Sequence, residues 1–196
     1  MKNIAVFASG NGSNFQAIID AVQDGSLTAS INLLVCDKPN AYAVERAKAA
    51  GIEYFAFTAK DFSDKQAYET EILAKLAEYK IDLVVLAGYM RLIGPTLLSA
   101  YEGRIINIHP SLLPAFPGKD AMGQALRAKV KVSGVTVHYV DAGMDSGPII
   151  AQETVDLTEN ETIETLQEKI HRVEHQLYPA VIQMLVSKSR EEVKNG

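Results

Sequence analysis

The sequence holds a single cysteine, Cys36, so no disulfide can close within the chain and no cysteine-rich metal site can be built; its place in an apolar run predicts a buried thiol. It has no cluster of Lys and Arg, and its formal charge is −5, which excludes an extended nucleic-acid surface while leaving room for a small anionic ligand held by local donors. No stretch approaches the length of a membrane span. The opening MKNIAVFASG lacks the apolar region and cleavage site of a signal peptide, so a cytoplasmic location is expected. Ser/Gly-rich linkers, repeats and low-complexity segments are missing as well, and 196 residues then predict one domain.

What is present is an alternation of strand and helix patterns. NIAVFA at 3–8 is a near-continuous apolar run, as expected of a strand covered on both faces. Phe15, Ile18, Ile19 and Val22 follow at helical spacing, with Gly25 as the stop. A strand at 31–36, a helix at 42–50, a short strand at 54–57, a helix after Ser63 with Tyr68, Ile72, Leu76 and Tyr79 on one stripe, and a strand in IDLVVLAG continue the rhythm. The pattern predicts a single-domain α/β fold: a mostly parallel twisted sheet, Rossmann-like in its N-terminal half, with helices on both faces. Later come a strand at 104–108, a short helix at 121–128, and strands at 133–140 and 149–155 whose short connection predicts antiparallel pairing. A long C-terminal helix from Thr162 turns Ile163, Leu166, Ile170, Val173 and Leu177 inward; Pro179 kinks it or starts a new turn, and 188–196 is expected to fray.

Four stretches carry chemistry. In RIINIHPSLLPAFPG, Asn107 and His109 stand at a strand end with Pro110, Pro114 and Pro117, which stiffen the loop and are expected to stop strand or helix from His109 onward. A parallel sheet binds ligands at such carboxyl ends, although a simple strand-end cap explains these residues equally well when they are taken alone. SGNGSN, Ser9 to Asn14, joins a strand to a helix and suits a phosphate group on free N–H donors. The dinucleotide pattern G-x-G-x-x-G is its decoy: Phe15 replaces the third glycine, although Asp37 ends the second strand where a ribose ligand would stand. DAGMDSGP offers Asp141 and Asp145 in a loop able to wrap a ligand. His171-Arg172-Val173-Glu174-His175 matches H-x-x-E-H formally, but no third ligand has suitable spacing, so a polar helix face is the better account. His138, in the alternating strand VTVHYV, reads as structural.

Taken together and in order, SGNGSN, AGYMRLIGP, INIHPSLLPAFPG, GVTVHYVDAGMDSGPII and VEHQLYP resemble the folate-dependent formyltransferases that act on phosphoribosylglycinamide in purine biosynthesis, over essentially the whole chain. Relatives carrying an added RNA-binding or regulatory domain are expected to be longer. The resemblance implies Asn107, His109 and Asp145 as catalytic trio, with Gly12, Ser13 and Asn14 on the ribonucleotide phosphate and Glu174 at its glycinamide end. It implies 10-formyltetrahydrofolate as cosubstrate, lying along Met90, Arg91, Leu92 and Ile93, Asn107 and the loop with Val140, Asp141 and Asp145, near Lys65. No metal is called for, and the partners are the two small-molecule substrates, with no nucleic acid and no membrane; a homodimer stays open. On this view 1–100 is the phosphate-binding half and 101–187 the catalytic, folate-binding half. Some members carry a histidine where this chain has Asp120, which leaves the support of Asp145 as a question for the structure.

Overall fold

The computed structural model describes residues 1–194, with side chains to 188. Its elements are β1 (Lys2–Ala8), α1 (Ser13–Gln23), β2 (Ala29–Cys36), α2 (Tyr42–Ala49), β3 (Tyr54–Ala56), α3 (Lys65–Glu78), β4 (Leu83–Leu86), α4 (Pro95–Ala100), β5 (Ile105–His109), α5 (Ala121–Arg127), β6 (Val132–Tyr139), β7 (Ile149–Asp156) and α6 (Ile163–Lys194). The strands form one sheet in the order β3-β2-β1-β4-β5-β6-β7. The pairs from β3 to β5 are parallel; β6 runs antiparallel to β5, and β7 to β6. The expected mixed α/β sheet with late antiparallel strands is therefore the observed one.

Strand periodicity explains its two-sided core. Along β1, Ile4, Val6 and Ala8 pack into one apolar cluster with Phe15 and Ile18 of α1, Ala43 and Val44 of α2, and Leu166, Ile170 and Tyr178 of α6. Ala5 and Phe7, pointing the other way, meet Tyr68, Ile72 and Leu76 of α3 and Leu97 of α4. Both faces are covered from Ile4 to Ala8, so β1 is apolar at every position of that run. Each fully buried Phe, Ile or Leu contributes roughly 1.5 to 3 kcal/mol.

Three differences from the sequence expectation bear on function. His109 is the last residue of β5 and pairs with Thr136, so the ladder extends one residue further than 104–108 before the prolines end it. Helix α4, absent from the expectation, starts with Pro95 at its first turn, where a missing N–H costs nothing. Helix α6 runs through Pro179 and is described to Lys194; the tail expected to fray, 188–196, reaches outside the described residues. On α6, Leu166 and Ile170 are buried as expected, but Ile163 is exposed and the stripe continues through Glu174 and Tyr178. The Tyr178 hydroxyl donates to Leu86 O at 2.6 Å and lies 3.3 Å from Ile106 O, fastening α6 to the last residue of β4 and to the early part of β5. Among the described residues no helix is long and apolar enough to cross a membrane.

Candidate active site

Strand β5 delivers Asn107 and His109, two residues apart and hence on one face of the sheet. The proline loop that follows is held from β6 and β7. Thr136 Oγ1 donates to Ser111 O at 2.7 Å and accepts the Leu113 N–H at 3.0 Å, while Gln152 Nε2 donates to Leu113 O at 2.9 Å. The loop then returns Phe116 O to His109, whose Nε2–H donates to it at 2.9 Å. The other ring nitrogen, Nδ1, faces Asp145 Oδ2 at 3.5 Å. That separation is longer than a closed hydrogen bond, so Nδ1 keeps capacity for a third group.

Asp145 comes from the loop between β6 and β7 and has φ of 52°, a left-handed conformation that Asp tolerates better than most residues. Its Oδ2 accepts the Gly118 N–H at 2.8 Å. Asp120 does not assist: it faces Arg127 at 3.0 Å, on the surface. The support of Asp145 thus comes from the Gly118 N–H, with the His109 imidazole beside it.

The second imidazole is His138, set aside on sequence as structural. Antiparallel pairing puts it directly opposite Asn107. Its Nδ1 lies 2.8 Å from Tyr139 O, which can only accept, so Nδ1 carries the proton and Nε2 accepts from Asn107 Nδ2 at 3.3 Å. Nε2 also lies 3.9 Å from Asp145 Oδ1. His138 therefore orients the Asn107 amide and lines the same corner as the trio, a role invisible without the β5–β6 register.

At the glycine loop, Gly12 has φ of 76°, and a Cβ there would come 2.9 Å from that of Ala43. The N–H groups of the first turn of α1 have no intrahelical acceptor. Arg46 braces the loop from α2, with Nε on Asn11 O at 2.8 Å and Nη2 on Asn11 Oδ1 at 2.7 Å. Asn14 Nδ2 donates to Glu174 Oε2 at 3.1 Å, joining the loop to α6. Burial pushes the Glu174 carboxyl up to about 7, against the lowering effect of the Asn14 bond. A groove of about 820 Å³ between α1 and α6 touches this loop at Ser13 but includes none of the trio.

The H-x-x-E-H stretch does not converge. His171 and His175 stack with ring centroids 5.8 Å apart, while Glu174 bonds Asn14. Burial lowers the basicity of both histidines. Among the described residues no group of three or more His, Cys, Asp and Glu side chains is placed to hold a metal ion.

Of the remaining candidates, Met90 and Leu92 are exposed at 69% and 52%, and Ile93 is buried. Arg91 Nε–H donates to Asp37 at 2.7 Å, which takes Asp37 away from the ribose-ligand role weighed for it. Val140 follows β6 and bonds Ile105 O at 2.9 Å. Asp141 Oδ1 accepts Ser146 Oγ–H at 2.8 Å and Gly143 N–H at 2.9 Å, which hold its carboxyl below the usual range. Lys65 stands exposed at the start of α3 and bonds none of the other candidates.

The formyl transferase family profile matches residues 2–182. Phosphoribosylglycinamide formyltransferase of Bacillus subtilis is 58% identical over 186 residues, covering 95% of each chain. The protein of that name from Escherichia coli is 39% identical over 92% of this chain and 85% of its own. The crystal structure of glycinamide ribonucleotide transformylase 1 from Geobacillus kaustophilus superposes with a TM-score of 0.93 at 62% identity, over 94% of this chain and 98% of that one.

Proposed function

The chain belongs to the formyl transferase family, and from that membership we propose that it transfers the formyl group of 10-formyltetrahydrofolate to the amine of 5-phosphoribosylglycinamide, a step of purine biosynthesis. The observation that carries this assignment is the convergence of Asn107, His109 and Asp145 on one corner of the sheet. The amine nitrogen attacks the formyl carbon, giving a tetrahedral centre with a developing oxyanion. Asn107 supplies one N–H, the other being engaged by His138, and His109, acting as an imidazolium with Nε2–H still on Phe116 O, supplies a second from Nδ1. An aligned donor of this kind is worth about 3 to 4 kcal/mol in the transition state. As the C–N10 bond breaks, the amine loses a proton and N10 gains one; Asp145, beside both imidazoles, is suited to order a water for that relay.

The phosphate rests, on this proposal, at Gly12, Ser13 and Asn14, where α1 offers its free N–H groups and dipole end. Glu174, tied to Asn14, accepts from the glycinamide end. The folate lies along Met90 to Ile93 and Val140 to Asp145, with Lys65 at its outer end, so that 1–100 serves mainly the phosphate and 101–187 the chemistry and the donor. Incubating the enzyme with formyl-folate and ribonucleotide, separately and together, tests the assignment. Deformylation only with both present is expected, and turnover of formyl-folate alone at the same rate would defeat it.

A further inference from the structure

Segment 88–94 joins β4 to α4 with no ladder of its own, yet it offers the donor an exposed apolar edge in Met90 and Leu92. Such an edge binds a flat ligand well only where its backbone is already in place, because ordering a loop on binding subtracts from affinity. Three buried side chains from other elements hold it. Ser9, at the end of β1, accepts the Met90 N–H on Oγ at 2.9 Å and donates its own N–H to Gly88 O at 3.0 Å. Asp37, at the end of β2 and 4% exposed, accepts Arg91 Nε–H at 2.7 Å. Glu69, on α3 and 2% exposed, accepts the Gly94 N–H at 2.8 Å.

The two carboxylates share an unusual condition. Asp37 Oδ1 and Glu69 Oε1 are buried without a hydrogen-bond partner, so each group depends on its single bond to the segment. Any arrangement that carries Arg91 or Gly94 away strands a buried carboxylate, among the more costly events inside a protein. Bulk adds to the constraint. A Cβ at Gly94 would stand 2.6 Å from Glu69 Oε1, and the Arg91 guanidinium lies 5.7 Å from the Tyr68 ring centroid. Burial first, and then the charge of Asp37, push the neighbouring Tyr89 phenol well above its ordinary value.

We propose that Asp37 and Glu69 are positioning residues for the donor half of the reaction: they touch no substrate, and each fixes from beneath the backbone on which the folate cosubstrate is laid. The inference rests on the assignment of segment 90–93 to the formyl-folate. It also gives Asp37 a purpose other than the ribose contact sought at the end of a second strand.

The test is steady-state kinetics on the whole enzyme with each substrate varied in turn, for Asp37→Asn, Glu69→Gln and the pair. Both replacements keep shape and an acceptor and remove the charge, so KM for 10-formyltetrahydrofolate should rise about tenfold in each, the loss of one charge-assisted bond. KM for the ribonucleotide should not move. No rise for the donor, or equal rises for both substrates, overturns the positioning role. Should a carboxylate variant fail to fold, Arg91→Met cuts the Asp37 bond from the partly exposed side, and an unchanged donor KM in that variant overturns it equally. Leu92→Asp separates this inference from its premise, since it places charge on the exposed edge without touching either carboxylate. Retention of full donor affinity in Leu92→Asp defeats the location of the donor itself. Loss of affinity there, with normal KM in the carboxylate variants, defeats the positioning role alone.

Discussion

His109 has one ring nitrogen committed to Phe116 O at 2.9 Å and the other 3.5 Å from Asp145, so only the second is free to strengthen its contact as charge develops. A donor of that kind acts mainly in the transition state. His109→Ala should accordingly lower kcat by about 10² or more with little change in either KM, and near-normal kcat would remove the residue from the mechanism. His138 predicts a different signature. It touches the reaction only by turning the Asn107 amide, through a bond of 3.3 Å, and glutamine in its place can still accept a hydrogen bond. His138→Gln should retain more kcat than His138→Leu, by about an order of magnitude. Equal losses in the two variants would mean that His138 serves only to fill space.

At the scale of elements, the turn into α1 decides how the phosphate loop tolerates change. A Cβ added at Gly10 would meet nothing within 4 Å, and Gly10 has no positive φ, whereas Gly12 combines φ of 76° with the Ala43 side chain of α2 at 2.9 Å. Gly12→Ala should destabilise the protein by about 1 to 3 kcal/mol and weaken ribonucleotide use, while Gly10→Ala should cost less than about 1 kcal/mol. Urea unfolding of the two variants compares them directly, and equal midpoints would contradict the geometry. The elements were also where sequence and structure parted. Alternating apolar runs made β1 and β4 legible, and helical spacing made α1 and α3 so, because burial acts on each residue locally. Which strand lies beside which is a long-range matter: His138 could not be matched with Asn107 until β6 was seen folded back along β5. The partner of Asp37 was out of reach for the same reason, since Arg91 lies 54 residues away in the chain. Asn107, His109 and Asp145 were nominated together ahead of the structure through resemblance of whole motifs, as spacing alone left His109 indistinguishable from a strand cap. Helix α4 went unseen because Pro95 and a short apolar stretch give too few turns to display a period.

For the molecule as a whole, α6 is the element that spans the site, tied to α1 through Glu174 and to the sheet through Tyr178. Its Glu174 links folding to pH. The carboxyl is 6% exposed and is pushed from an ordinary 4.5 up to about 7, chiefly by burial. Below about pH 4.5 the group is protonated in both the folded and unfolded chain and its contribution to stability is fully present. As pH rises toward 7 the unfolded chain gives up the proton while the folded one retains it, so that contribution is lost across the window and stays lost above it. Glu174→Gln has no proton to lose. Its stability, relative to the parent enzyme, should be nearly equal at about pH 4.5 and greater at about pH 8, by at most about 3 kcal/mol. His171 and His175, whose basicity is lowered by burial, titrate in both proteins, so the difference between the two urea midpoints isolates Glu174. The same substitution removes the charge proposed to hold the glycinamide end, so stability gained at high pH should coincide with a weaker use of ribonucleotide, about 1.5 to 3 kcal/mol in kcat/KM, and an unaltered use of formyl-folate. Parallel stability profiles for the two proteins would show that Glu174 ionises in the fold as it does in water, and the carboxylate would then be available to substrate without the cost that its burial implies.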